Sequence, residues 1–472
     1  SDRQAAARVV LRLDWKYALH LPLTYTGFDA SVLCEFRDRL EQHGEAQQLF
    51  ERELVKLREL GLLRSRGRQR TDSLAVLGAV RELTRLELLR DTLRQALGAL
   101  ERQALPWLSA QEGSSEWAER YGDWPQEERL VREHGEKGRA QAQRLLEATA
   151  KDGQQLLEGL RGRPALEALP EVQVLRQVWE QHWEAETGQL LPRPTGAAAL
   201  CHPKDLQVRR GVHGGRAWEG YRVHLTETVE ADLPRILTDV RVVPATTPDC
   251  RVVPEVLETL RRRELLPSEW LMDSGYVSGA NLAAGEAQGV EVLGPLLADR
   301  SPQGRAQEGL SLEDFELDWE AQEARCPRGV RSSSWRESRD ARGARIEVVF
   351  PAAVCGACPL YAQCVHSQHA SAPGRRLHLR EHHRRVRAHR QAQKEPEFWR
   401  RYAARAGIEA TLHEGVRDHG LREARYRGQE RVTVQEVFIA LALNLKRTLA
   451  WCQGKKIRRK RRPGLRALAQ AA

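Results

Sequence analysis

Three acids, Asp72, Asp273 and Glu409, each stand beside small or apolar residues at an expected element boundary. Three carboxylates gathered from distant parts of a chain can hold two Mg²⁺ about 3.5–4 Å apart, which activates one oxygen and stabilises the leaving oxygen in phosphoryl transfer. Their separations, 201 and 136 residues, carry little alone, since a chain with 65 Asp and Glu offers many such triples. Capping or salt-bridged acids are the plainer alternative. Glu409 has informative neighbours: Tyr402, Arg405 and Glu409 fall at i, i+3 and i+7 and would share one face of a single helix. Such a face pairs a metal-binding carboxylate with a guanidinium that grips phosphate bidentately and a phenol that contacts a nucleotide or phosphate. An ordinary i,i+4 Arg/Glu pair competes with that reading.

A second group is Cys355-Gly-Ala-Cys358, followed after five residues by Cys364, with Cys326-Pro327 upstream. Four thiolates at such spacing suit tetrahedral Zn²⁺, with an iron–sulfur cluster or plain reduced thiols as alternatives. His366 and His369 are substitute ligands. Cys34, Cys201, Cys250 and Cys452 stand apart, and eight Cys in 472 residues are too sparse for a secreted disulfide framework. His382, His383 and His389 lie among arginines, Arg384 and Arg385 included, on a helix expected over 375–390 that faces solvent or DNA. A final basic run includes Lys455, Lys456, Arg458 and Arg459 and reads as a phosphate-binding arm or a solvated tail.

These residues need a scaffold, and 472 residues suffice for two to four domains with a real core. Lys and Arg number 75 against 65 Asp and Glu, a net charge of +10 that makes a polyanionic partner plausible. No stretch approaches the apolar length of a membrane span and no signal peptide opens the chain, so an intracellular setting is expected. Residues 1–63 read as a small helical unit; because the chain opens at Ser1 and its one Met is Met272, that unit is expected to continue upstream. Residues 64–80 hold the first core strand, with Asp72 at its end or at a strand-to-helix turn. Residues 81–195 read as a helical insert with breaks near Pro106, Pro125, Gly153 and Pro164. Residues 196–300 alternate β-α-β, with strands over 220–228, 236–243, 269–273 and 290–293 and a helix over 254–263. Residues 301–373 turn to short strands around the clustered Cys, 374–452 to helices that carry Glu409, and 453–472 to the basic tail.

Several motifs together resemble bacterial insertion-sequence DDE transposases: Arg70-Thr-Asp-Ser, Trp218-Glu-Gly-Tyr-Arg-Val-His-Leu-Thr-Glu-Thr228, Pro244-Ala-Thr-Thr-Pro-Asp249, Met272-Asp-Ser-Gly-Tyr276, Ala406-Gly-Ile-Glu-Ala-Thr411 with Gly415-Val-Arg417, and Arg425-Tyr-Arg-Gly428. Tyr402, Arg405 and Glu409 also resemble the Tyr-Arg-Glu-Lys signature of related transposases, with Arg417 as the final basic partner. The resemblance implies an InsH-type helical N-terminal DNA-binding region, an α/β, ribonuclease H-like mixed-sheet core, and a cysteine-bearing insert before the catalytic Glu. It implies Asp72 and Asp273 at ends of core strands and Glu409 on a helix, together binding catalytic Mg²⁺. The implied activity is metal-dependent cleavage and strand transfer on double-stranded DNA, both element ends and target, by a homodimer in the cytoplasm at the nucleoid. An idle DNA-binding remnant or domesticated regulator, and a metal-stabilised scaffold, are the rival readings.

Overall fold

The computed structural model describes residues 2–122, 127–299, 301–306, 309–340, 343–365 and 374–455. Its central strand is one that the sequence disguises. Arg68-Gln-Arg-Thr-Asp-Ser-Leu-Ala-Val-Leu77 lacks a clean polar–apolar alternation, yet forms the ten-residue strand β1 (Arg68–Leu77). Its polar residues are tolerated inside because each finds a partner. Gln69 donates to the Leu265 carbonyl at 2.7 Å and accepts from Thr238 at 2.6 Å, and Thr71 pairs with Thr226 at 2.7 Å. Asp72 therefore lies in mid-strand, opposite Leu225, and not at the strand end expected from sequence.

Five further strands join β1 in one mixed sheet: β2 (Arg209–His213), β3 (Arg216–Thr228), β4 (Leu237–Pro244), β5 (Glu269–Leu271) and β6 (Glu291–Leu293). β3 runs antiparallel to β1, and its far edge is shared by β2 and β4, both antiparallel to it. On the other side β5 is parallel to β1, and β6 parallel to β5. The order β4-β3-β1-β5-β6 thus joins an antiparallel half to a parallel half across β1.

Helices α1 (Glu45–Glu59), α2 (Val253–Arg262), α3 (Gly279–Ala287), α4 (Pro396–Tyr402), α5 (Ile408–Glu414) and α6 (Gln429–Cys452) pack against this sheet. In α2, Val253, Val256, Leu257 and Leu260 recur at i, i+3, i+4 and i+7, which turns one stripe inward. They share a core with Tyr221, Val223 and Leu225 of β3, Phe50, Leu54 and Leu57 of α1, and Val437, Ala440 and Leu443 of α6. The N-terminal helix α1 is thus part of the same core as the sheet.

Between β1 and β2 the chain builds a helical unit with its own core, in which Leu89, Leu93, Leu156, Leu175 and Trp179 are buried. Thr84 and Glu87 form a reciprocal cap at its first helix, Arg85–Ser109. The break expected at Gly153 does not occur. The helix Glu127–Gly159 runs through it, and glycine stands there because an added Cβ would lie 2.0 Å from the Trp179 ring.

A third core, with Phe315, Val348, Phe350, Leu377 and Leu379, underlies the cysteine-bearing segment. Residues 375–390 are not one helix as expected. Arg376–Arg380 is a strand paired with Gly343–Val349, because Leu377 and Leu379 alternate inward between exposed Arg376, His378 and Arg380; the helix starts only at His383. The helix expected over 397–414 is also divided, into α4, a 3₁₀ turn over Ala403–Gly407, and α5.

Candidate active site

β1 and β5 pair in parallel up to Arg70↔Leu271, and Asp72 and Asp273 each lie two residues beyond that pair on their own segments. The shared offset of 201 residues is therefore the strand register itself, and the pleat sends both carboxylates to the same face. The Asp273 carboxylate accepts the Gly275 N–H at 2.8 Å, a local turn that ends the strand segment and fixes the acid at its mouth.

The third acid arrives from above this face. Arg405 in the 3₁₀ turn points a guanidinium between the segments, with Nη2 2.7 Å from Asp72 Oδ2 and 3.5 Å from Asp273 Oδ2, and Nη1 3.8 Å from Glu409 Oε1. One cation thus touches three carboxylates from three distant parts of the chain. The turn rests on Arg70, which donates to the Ala404 carbonyl at 2.6 Å. Gly407 makes that contact possible, since a Cβ there would lie 2.1 Å from Arg70 Nη1.

Asp72 is 8% exposed. Burial pushes its carboxyl up to about 6; Arg405 and the Ser73 N–H oppose the rise, while Asp273 and Asp249 add to it. Glu409, by contrast, projects into solvent with 70% of its side chain exposed, so it is free to swing toward a ligand. Tyr402 is half-buried against Phe398 and Trp399, its phenol raised first by burial and then by Asp273 and Asp72, with Arg405 opposing.

Residues that sequence reasoning left without a role complete the floor. Asp249 lies beside Asp72, its Oδ1 2.6 Å from Arg222 Nη1 and 3.4 Å from Ser73 Oγ. His224 is 1% exposed, is held neutral by burial that lowers it to about 3, and bonds Tyr276 through Nδ1 at 2.7 Å. The Pro244–Asp249 and Met272–Tyr276 motifs contained Asp249 and Tyr276, but their spacing gave no hint of a shared site.

The remaining expected residues are dispersed. Arg417 lies in the turn over Gly415–His419 and pairs with Asp418 at 2.6 Å, not with the acid cluster. Arg384 stacks 5.6 Å over Trp319, and Arg385 pairs with Glu286 at 2.5 Å; both are exposed. Lys455 is exposed. Lys456, Arg458, Arg459, His366 and His369 lie outside the described residues. Cys326, Cys355, Cys358 and Cys364, all free thiols, line one cavity of about 310 Å³. Burial raises the Cys364 thiol, Arg375 opposes, and the other three cysteines add to the rise. Among the described residues, no group of three or more His, Cys, Asp or Glu side chains is placed to hold a metal ion, either at these thiols or at the acids.

Residues 325–449 match a family model described as "Transposase DDE domain". The matched stretch contains Tyr402, Arg405, Glu409, Arg417 and the four clustered cysteines, and leaves Asp72 and Asp273 outside. No curated protein and no solved structure matches the chain. The family match supports a DDE transposase. No helix among the described residues is long and apolar enough to cross a membrane.

Proposed function

We propose that this chain is a DDE transposase that cleaves DNA at the ends of its own mobile element and joins the free 3′-hydroxyls to target DNA. The observation that carries the reading is the convergence of Asp72, Asp273 and Glu409 on the Arg405 guanidinium, with Arg405 and Glu409 inside the matched segment. The strand order, three antiparallel strands continued by two parallel ones, supports a ribonuclease H-like core. The three carboxylates are the hard oxygen donors that Mg²⁺ takes, although as they stand they surround the Arg405 guanidinium and are not spaced around a metal ion. Asp72, Asp273 and Glu409 would hold it, and bound Mg²⁺ supplies Lewis-acid polarisation of the scissile phosphate.

The chain's own part is positioning. Arg405 neutralises the cluster, and its fork suits two oxygens of a backbone phosphate. Tyr402 borders the same mouth and can meet a nucleotide. Arg384, Arg385, Lys455, Lys456, Arg458, Arg459 and Arg417 extend the basic contacts to duplex DNA, and two element ends call for a homodimer. We place the protein with chromosomal DNA in the cytoplasm.

A salt titration of duplex affinity tests the DNA-binding half of this reading. Affinity should fall steeply, with a log–log slope of about −0.9 for each phosphate neutralised. A flat response would favour a metal-stabilised scaffold. The sequence spacing of the four cysteines carries a second proposal, a structural Zn²⁺ that staples a segment with a small core; the thiols line one cavity but are not drawn together as a ligand set. Elemental analysis of the purified protein should give about one equivalent of zinc, with tetrahedral thiolate coordination. Less than about a tenth of an equivalent, without iron, would remove zinc from the account.

A further inference from the structure

The three-stranded sheet beside the cysteine-bearing core has two unlike faces. Strands β7 (Ser334–Asp340), β8 (Gly343–Val349) and β9 (Arg376–Arg380) lie in that order, antiparallel throughout. Register sorts their side chains, since residues directly opposite one another share a face. Trp335, Val348 and Leu377 form one inward row and Ile346 and Leu379 another, packed on the core that holds Phe315 and Phe350. The rows between them turn outward: Arg336, Glu347 and His378, then Ser338, Arg345 and Arg380, with Arg376 on the same face. Arg336, Arg376, His378 and Arg380 are exposed.

The outer face carries more positive charge than it can neutralise. Four guanidinia stand against two carboxylates, Glu347 and Asp340. Asp340 pairs with Arg380 at 2.8 Å, while Glu347 is shared between Arg345 at 3.9 Å and Arg376 at 3.8 Å, both beyond hydrogen-bond reach. Arg336 has no ion pair among the described residues. Arg345 stands directly opposite Arg380, and its buried Nε has no hydrogen-bond partner. Like charges directly opposite weaken a sheet. His378 reports the same crowding: burial lowers its imidazole, Arg345, Arg380 and Arg376 lower it further, and Glu347 alone opposes. Solubility needs no such arrangement, because interspersed charges of both signs serve it as well. A face of one sign, kept at a cost to its own sheet, suits a polyanion.

We propose that this face is a docking surface for the phosphate backbone of duplex DNA, with Arg336, Arg345 and Arg376 as its principal contacts. Charge and spacing select the partner. Side chains on one face of a strand recur about every 7 Å, so Arg376, His378 and Arg380 form a row that can follow a run of phosphates, and each guanidinium fork can take two phosphate oxygens. The face is also tied to the catalytic sheet. β9 leads through Glu381 and His382 into the helix His383–Ala392, whose Arg385 pairs with Glu286 of α3 and whose His389 Nε2 lies 2.7 Å from the Gly294 carbonyl. DNA held on the outer face is thereby fixed relative to the strands that position Asp72 and Asp273. The inference rests on the transposase reading and gives the cysteine-bearing segment its own part in it, that of holding duplex.

The test is a salt titration of full-chain affinity for a duplex of arbitrary sequence, in wild type and in the triple variant Arg336→Gln, Arg345→Gln, Arg376→Gln. A control triple, Lys56→Gln, Arg261→Gln, Arg262→Gln, removes three exposed cations from α1 and α2. The sheet variant should lose about 2–3 from the log–log slope, at about 0.9 for each phosphate released, and bind about tenfold or more weakly at low salt. The control should keep the wild-type slope within about half a unit. The thermal midpoint of the sheet variant should equal or exceed that of wild type, because Arg345 no longer opposes Arg380. Arg336→Glu changes one exposed side chain, supplies the readout if the triple variant folds poorly, and should lower the slope by about 1. A steep wild-type slope that persists in both sheet variants, or that the control loses equally, would overturn this inference and leave the transposase reading standing. A persistent slope together with a dimer turned to monomer would also overturn it, by giving the face to a second copy of the chain. A flat wild-type slope would overturn both readings.

Discussion

Asp72→Asn, Asp273→Asn and Glu409→Gln will each lower DNA cleavage by about a thousandfold or more while leaving duplex affinity within about threefold. The size follows from the chemistry: losing one charged ligand weakens stabilisation of the transferring phosphate by several kcal/mol, and about 4 kcal/mol is a thousandfold in rate. Retained binding is expected because the proposed phosphate contacts lie outside the cluster, on basic side chains that include exposed Arg384, Arg385 and Arg417. Asp72 and Asp273 reach the site from paired strands, and Glu409 from an exposed position on α5. The two strand acids should therefore be the less forgiving pair, and a Glu409→Asp variant should keep some activity through its freedom to swing. Parental cleavage by any of the three variants would remove that residue from the site.

The largest effect on stability should come from a residue with no direct part in the chemistry. Glu227→Gln will destabilise the chain by about 3–5 kcal/mol, because it breaks one side of a buried charge network, leaving Arg70 without its carboxylate and Arg447 with Glu414 alone. Glu227 is fully buried. Its Oε1 accepts Arg70 Nε and Nη2 at 2.7 and 2.5 Å, and its Oε2 accepts Thr411 Oγ1 at 2.6 Å and Arg447 Nη1 at 3.0 Å. The network joins β1, β3, α5 and α6, and Thr411 stands two residues from Glu409, so the same contact seats the helix that carries the third acid.

Burial pushes the Glu227 carboxyl up, but Arg447 and Arg70 more than reverse the rise and leave it below its ordinary value. A carboxylate depressed on folding stabilises above its unfolded pKa, about 4.3, and that stabilisation is lost as pH falls through the folded value. Urea unfolding at pH 7.5 and at pH 4 checks both points: the gap between wild type and Glu227→Gln should be largest at pH 7.5 and should narrow in acid. A gap below about 1 kcal/mol at pH 7.5 would mean that the network is replaceable.

How far the sequence revealed this arrangement depends on whether local patterning or long-range pairing sets each part. The stripe Val253, Val256, Leu257, Leu260 made α2 legible within one residue of its bounds, because helical periodicity is local. β1 was legible as a strand but not in extent, since Gln69, Arg70 and Thr71 are buried only by virtue of partners on Leu265, Glu227, Thr226 and Thr238. The same blindness turned Arg376–Arg380 into a helix on paper: five residues rich in Arg and His conceal the inward Leu377 and Leu379. At the site, the i, i+3, i+7 spacing of Tyr402, Arg405 and Glu409 pointed to a shared face, although a 3₁₀ turn interrupts the helix that the spacing assumed. Asp249 was beyond reach, because only the pairing of β3 with β4 brings Arg222 and His224 beside it.

The most direct measurement supplies the purified chain with duplexes taken from the DNA flanking its coding region, already cut to expose a 3′-hydroxyl, together with a supercoiled plasmid and Mg²⁺ or Mn²⁺. The account predicts plasmid circles covalently joined to the duplex through that 3′ end, dependent on the divalent ion and lost in Asp72→Asn, Asp273→Asn and Glu409→Gln. Salt-sensitive binding of the same duplexes with no joined product in either metal would contradict it, and would leave a DNA-binding protein without strand-transfer chemistry.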